Sequence, residues 1–311
     1  MESKALVLLA SCLLIVVGCS KSATPPTTAA SATPAPTPVG PDGHQMVRLP
    51  TTITEWARGA MLFAGLGNVH RPITTRSPEA QRYFDQGLSL IWAFNHDEAT
   101  RSFAKAAEID PACASCFWGV SLTVGPNYNL PFLSEQRSKV AYEALQQAEQ
   151  NAPGASPVEQ ALIAALAKRY PAARSLDATS AIPILAAYAD AMKDVAQRFP
   201  EDLDVQTLYA ESMMNTNAWK LWSPDGKPAA GTEQIVATLE SVLARDPLHL
   251  GANHYYVHAV EASPHPEKGV GAAGRLKSLA PAAGHLVHMP AHILQRIGQY
   301  EGAAAEYARN W

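Results

Sequence analysis

The feature that most restricts how this chain can fold is a spacing that returns five times. In "EATRSFAKAAEIDP", Ala99 is followed four residues on by Phe103, seven on by Ala106 and twelve on by Pro111. The same offsets recur at Ala141, Leu145, Ala148 and Pro153, and at Tyr188, Met192, Val195 and Pro200. They recur again at Ile235, Leu239, Val242 and Pro247, and at Gly269, Ala273, Leu276 and Pro281. Steps of four and seven mark one face of a helix, and the proline marks its stop. "GQYEGAAAEYARN" opens one more such helix, with Ala303 and Tyr307 on its face.

Ten residues beyond a proline stands a residue that is often small. Ser121, Ala210 and Ala291 fit, and Gly87 holds the same place in the first unit, whereas Ile163 and Val257 do not. A small side chain there lets two helices approach closely. At Ile163 a slip of register by one or two residues, to Ala164 or Ala165, would restore the pattern. Repeating helix pairs of this kind predict an all-α stacked array.

The pattern resembles the tetratricopeptide repeat, and "YFDQGLSLIWAFNHDEATRSFAKAAEIDP" carries it best. The resemblance covers roughly residues 80–311 and implies a TPR-like α-solenoid, a right-handed superhelix of helix-turn-helix units. The proline intervals are 42, 47, 47 and 34 residues, so three units carry insertions, at "GPNYNLPF", "RYPAARSLDATSAIP" and "NTNAWKLWSPDGKPAAG". Residues 51–79 form a lead-in segment. "AEYARNW" stops before the expected end of the last unit's second helix, so that repeat is expected to be incomplete.

Ahead of the repeats, "MESK" and the apolar run "ALVLLASCLLIVVG" have the make-up of a secretory signal over residues 1–18. "VVGC" resembles the lipobox of bacterial lipoproteins, which implies lipidation of Cys19 and a lipid anchor in the membrane. Several acyl chains hold where one would not. Residues 19–50, rich in Pro, Ala, Ser and Thr, read as a flexible tether that cannot bury a core. The expected location is the bacterial cell envelope, on the periplasmic or outer-surface side. A formal charge of -4 spread over 311 residues offers no nucleic-acid surface.

Within the repeats, "NHYYVHAVE" and "GHLVHMPAHI" concentrate histidine. Counting a frame from the third residue after each proline, His254 and His258 are fifth and ninth after Pro247, and His288 and His292 are fifth and ninth after Pro281. His285 is second in its frame. Four-residue spacing puts each pair on one helix face. Packed helices about 8–10 Å apart leave a gap that imidazoles can close onto one ion. The family places these positions on the wall of a concave groove, so the four rings are expected there as a rectangle. Glu211, ninth in the frame that starts at Leu203, is the candidate carboxylate, and His285 and Glu261 are further ligands or hydrogen-bond partners. Such a set suits zinc or another first-row transition metal. The plainer alternatives are repeat duplication and hydrogen bonding to an acidic peptide.

Other motifs say less. "CASC" brings Cys113 and Cys116 three apart, and a disulfide ranks ahead of a redox or metal pair, with free thiols third. His96 reads as a turn residue and His70 as part of the lead-in segment. Trp219 and Trp222 either seal the core around an insertion, the favoured reading, or rim a ligand site. "HYYVH" lacks the glutamate of the zinc-peptidase pattern, and no nucleophile or cofactor motif appears. The resemblance implies a scaffold whose groove holds a protein or peptide partner. The alternative is a metal-dependent enzyme or metal carrier built on the histidines.

Overall fold

The computed structural model describes residues 48–308. The expected signal, Cys19 and nearly all of the tether lie outside the described residues, as do residues 309–311. Among the described residues there are thirteen α-helices and no strand, only three isolated bridges. After a short α1 (Ile53–Ala57) come α2 (Pro78–Trp92), α3 (His96–Ile109), α4 (Ala114–Val124) and α5 (Glu135–Asn151). The middle holds α6 (Pro157–Leu166), α7 (Ala178–Arg198), α8 (Leu203–Met214) and α9 (Thr232–Arg245). The last four are α10 (Leu250–Val260), α11 (Val270–Leu279), α12 (Gly284–Arg296) and α13 (Tyr300–Ala308).

The prolines set these boundaries. Four helices, α4, α8, α10 and α12, begin on the third residue after a proline, at Ala114, Leu203, Leu250 and Gly284. Capping side chains satisfy free N–H groups at several starts. Asp202 accepts from the Val205 N–H at 3.0 Å, and His249 Nδ1 accepts from the Ala252 N–H at 3.1 Å. The α6 helix starts one residue late, behind a Ser156–Glu159 capping box. Ile163 is buried there, Ala164 is exposed and Ala165 is buried, so Ala164 does not take the inward place.

Consecutive helices pack on one another along the chain. The repeating positions supply that contact: Ala99, Phe103, Ala106, Tyr188, Met192, Leu239 and Leu276 are all fully buried. Phe103 shows why small residues recur. A Cβ on Gly87 would come within 2.6 Å of its ring, and one on Gly119 would overlap it as well. Absence of those side chains lets α2 and α4 close on α3 from two sides. Ser121 is buried too, donating from Oγ to the Ala141 carbonyl at 2.8 Å.

Two further features position the site. The lead-in segment is pinned at a distance: Arg71 donates from both terminal nitrogens to Asp202 at 2.8 Å and from one to Asp204 at 3.0 Å. A paired guanidinium of this kind holds orientation as well as charge. The second feature is a closure that neighbour-only stacking does not produce. The C-terminal end of α2 meets α10, with Trp92 against Gly251 and edge-on to Tyr255. The last carbonyls of a helix have no partner within it. Here the Ile91 carbonyl accepts from Tyr255 Oη at 3.3 Å, and the Trp92 carbonyl accepts from His254 at 2.6 Å. The face expected to line an open groove is therefore interior, and His254 and His258 are 0% and 2% exposed.

Candidate metal centre

On α10, His254 and His258 are one turn apart. On α12, His285, His288 and His292 follow a single stripe. Packing of these helices brings ring nitrogens of His254, His258 and His285 within 4.8 Å of one another, and His258, Glu261 and His292 form an overlapping second group.

The hydrogen bonds fix which nitrogen each ring can offer. His254 donates from Nδ1 to the Trp92 carbonyl at 2.6 Å. His258 donates from Nδ1 to Glu261 Oε1 at 2.7 Å, and His292 donates from Nδ1 to Glu261 Oε2 at 2.6 Å. A neutral imidazole that spends its proton on Nδ1 keeps a lone pair on Nε2. Three rings thus carry an Nε2 lone pair, each oriented by an oxygen on its far side, as is usual behind metal-ligating histidines. His258 Nε2 is buried and has no hydrogen-bond partner. His254 Nε2 lies 2.9 Å from His285 Nε2, which donates to it. Shifting that proton to His285 Nδ1 turns the contact into two facing lone pairs. A tetrahedral ion with bonds near 2.05 Å needs nitrogens about 3.3 Å apart. The His254–His285 pair, at 2.9 Å, needs only a small opening, and the three nitrogens together lie within 4.8 Å of one another.

Burial and mutual repulsion set the electrostatics. Burial first, then the facing His285 and His258, push His254 well below its ordinary value. Burial and then His258 push His285 down to about 3. Burial alone would raise Glu261, but hydrogen bonds from His258 and His292 outweigh it and hold the carboxyl at about 2. His254 and His285 are thereby held neutral, with the Glu261 carboxylate behind the cluster.

Two expected residues sit elsewhere. Glu211 is buried but turned away, its Oε1 accepting from Asn215 Nδ2 at 2.6 Å, and burial raises its pKa. It lines a small chamber with His96, Thr123 and Arg169. The reason is register: the frames of α8 and α10 lie 47 residues apart and enclose the 215–231 insertion, whereas those of α10 and α12 lie 34 apart. His288 falls outside both close groups, with its ring 4.9 Å from His285 and 5.2 Å from His292. The expected rectangle is instead a triangle of His254, His258 and His285, with Glu261 and His292 behind it. Cys113 and Cys116 are joined as a disulfide at the start of α4, away from the cluster.

Phe94 completes the site, and nothing in its sequence context announces it. It follows α2 with φ 53°, in a left-handed conformation that glycine or asparagine usually takes after a helix. Its ring stacks on His258 at 5.3 Å and lies edge-on to His254 at 4.5 Å, closing the apolar side of the triangle. On the other side, His258, Glu261 and His292 border a cavity of about 620 Å³. The two insertion tryptophans differ here. Trp222 donates from Nε1 to the Ala259 carbonyl at 2.7 Å and seals the core, while Trp219 stands 56% exposed on the cavity rim. No protein-family model matches the chain, and no curated protein matches it.

Glu261 makes the arrangement testable. Gln in its place keeps one acceptor oxygen but turns an N–H₂ toward the other imidazole, which must then change tautomer. Glu261→Gln is expected to weaken metal affinity by about 10–100-fold, the range found when such an outer partner is lost. Competition against a chelating dye measures this, with an unchanged far-ultraviolet spectrum showing that the helices persist. An affinity within about twofold of the parent would mean that Glu261 does not orient the ligands.

The lowered histidine pKa values predict a pH dependence for the metal-free protein. His254 and His285 are neutral when folded, and the unfolded chain takes up their protons near the ordinary 6.5. The stability they contribute is full above that pH and is lost progressively as the pH falls below it. Glu261 adds a loss only below its ordinary 4.5. With chelator present, the melting temperature should decline between about pH 7 and pH 5, and a flat profile there would contradict neutral burial of these rings.

Proposed function

We propose that this chain is a metal-binding protein of the bacterial cell envelope. A TPR-like helical array, tethered through lipid on Cys19, holds a first-row transition ion on His254, His258 and His285. Zinc suits a set of neutral imidazoles best. The observation that carries this reading is the set of tautomers. His254 and His258 have Nδ1 committed to oxygen acceptors, and the buried Nε2 of His258 has no other partner. Leaving a buried polar atom unmatched costs about 1–3 kcal/mol, which coordination would repay.

Three protein nitrogens leave a fourth position open, the pattern of catalytic rather than structural zinc. Bound there, an ion would supply Lewis-acid polarisation of a ligand oxygen or activation of a water. Both Glu261 oxygens already accept from imidazoles, so its role is to orient His258 and His292. The scaffold reading, with a protein or peptide in a groove, draws on the repeated helix pairs. The metal reading takes precedence because two of the positions assigned to that groove, His254 and His258, are buried and internally hydrogen-bonded.

Elemental analysis of the purified chain, loaded with zinc and dialysed, tests the proposal. It predicts about one ion per chain. A residual content indistinguishable from a histidine-free control protein would overturn it.

A further inference from the structure

The cavity beside the histidine cluster shares His258 and Glu261 with it, and the rest of its lining is specific. Its volume of about 620 Å³ falls in the range of small-molecule sites. Among its lining residues Arg296 is the one lysine or arginine, and it makes no ion pair among the described residues. It follows His292 by one turn on α12, so the guanidinium and the cluster share a face of that helix.

The opposite wall is Trp219. Its backbone is left-handed, with φ 60°, a conformation that costs a residue other than glycine about 1–3 kcal/mol. The strain leaves the ring more than half exposed, so core packing does not account for it. It positions the indole 5.0 Å from the Tyr128 ring and edge-on to His258 at 5.7 Å. Strained backbone held against a buried cluster is a recurring mark of ligand clamps.

We propose that this cavity binds a small aromatic carboxylate. The ring lies against Trp219, and the carboxylate is held by Arg296 on the side of the cavity that carries His258 and His292. A single negative charge is the better match, because the lining offers one guanidinium and Glu261 is itself anionic. A doubly charged phosphate would meet more repulsion than compensation. An aromatic face gains about 1–3 kcal/mol from stacking on a side chain of this kind, where a saturated ring gains less.

The probe is benzoate, titrated calorimetrically into the zinc-loaded full chain, with zinc content measured on the same samples. Benzoate should bind, while benzamide and cyclohexanecarboxylate should bind at least about tenfold more weakly, one lacking the charge and the other the flat face. Trp219→Ala and Arg296→Gln should each weaken benzoate about tenfold or more with zinc content unchanged. Zinc present but no benzoate heat at millimolar concentration would overturn this inference and leave the metal site standing. Equal binding of all three compounds to the parent protein would do the same, whether or not the variants fold. A chain that retains no zinc would remove the metal reading alone, and benzoate binding to the metal-free chain then decides this inference.

Discussion

Replacing His254 and His258 together by alanine should abolish metal retention while His288→Ala and Glu211→Gln leave it nearly intact. A complete set of four zinc ligands is worth about 10–16 kcal/mol in small domains, or roughly 3 kcal/mol each. Loss of two ligands therefore lowers affinity on the order of ten-thousandfold, enough to empty the site on dialysis. The controls carry as much weight as the double variant. His288 is 4.9 Å ring to ring from His285 but belongs to neither close group, and Glu211 serves another chamber. A diffuse histidine patch would lose metal in proportion to the imidazoles removed, whichever they were. Elemental analysis of the four proteins after identical loading separates the two cases.

Gly251→Ala should be strongly destabilising, although alanine is the better helix former by about 1 kcal/mol. A Cβ at this position would come within 2.5 Å of Trp92 Cε3 and 2.6 Å of Cδ2. Trp92 is fully buried and cannot swing aside, so α10 must move off α2. Overpacking of this kind costs about 1–3 kcal/mol, which for a domain of this size lowers the melting temperature by roughly 2–10 °C. The same displacement lengthens the bond from His254 to the Trp92 carbonyl, so metal affinity should fall in parallel. Gly274→Ala, in the middle of α11 with open space around it, is the matched control and should stabilise by up to about 1 kcal/mol. Equal effects at the two positions would mean that the α2–α10 contact does not hold the site.

The helices and their inner faces were legible because a proline stop and a three-to-four-residue rhythm are local signals. Phe103 and Ala106 could be placed from twelve residues of sequence. The histidines were found for the same reason, since 34 residues between two uninterrupted frames put them on adjacent helices. Glu211 was misplaced because frame counting assumes equal units, and the 215–231 insertion breaks that assumption. Contact between α2 and α10 joins residues more than 150 apart, such as Ile91 and Tyr255, and no periodic pattern encodes it. Phe94 was missed because its importance lies in a left-handed backbone that sequence assigns to glycine. His285 and Glu261 were named as supporting residues; in the structure His285 joins the triangle, and the Glu261 oxygens take both outer imidazole protons.

The most direct test is anomalous diffraction from a zinc-soaked crystal, collected on both sides of the metal edge. One peak should lie among the Nε2 atoms of His254, His258 and His285, at about 2.0–2.1 Å from each. A peak at His288 instead, or none within bonding distance of His258 Nε2, would contradict the metal centre proposed for this protein.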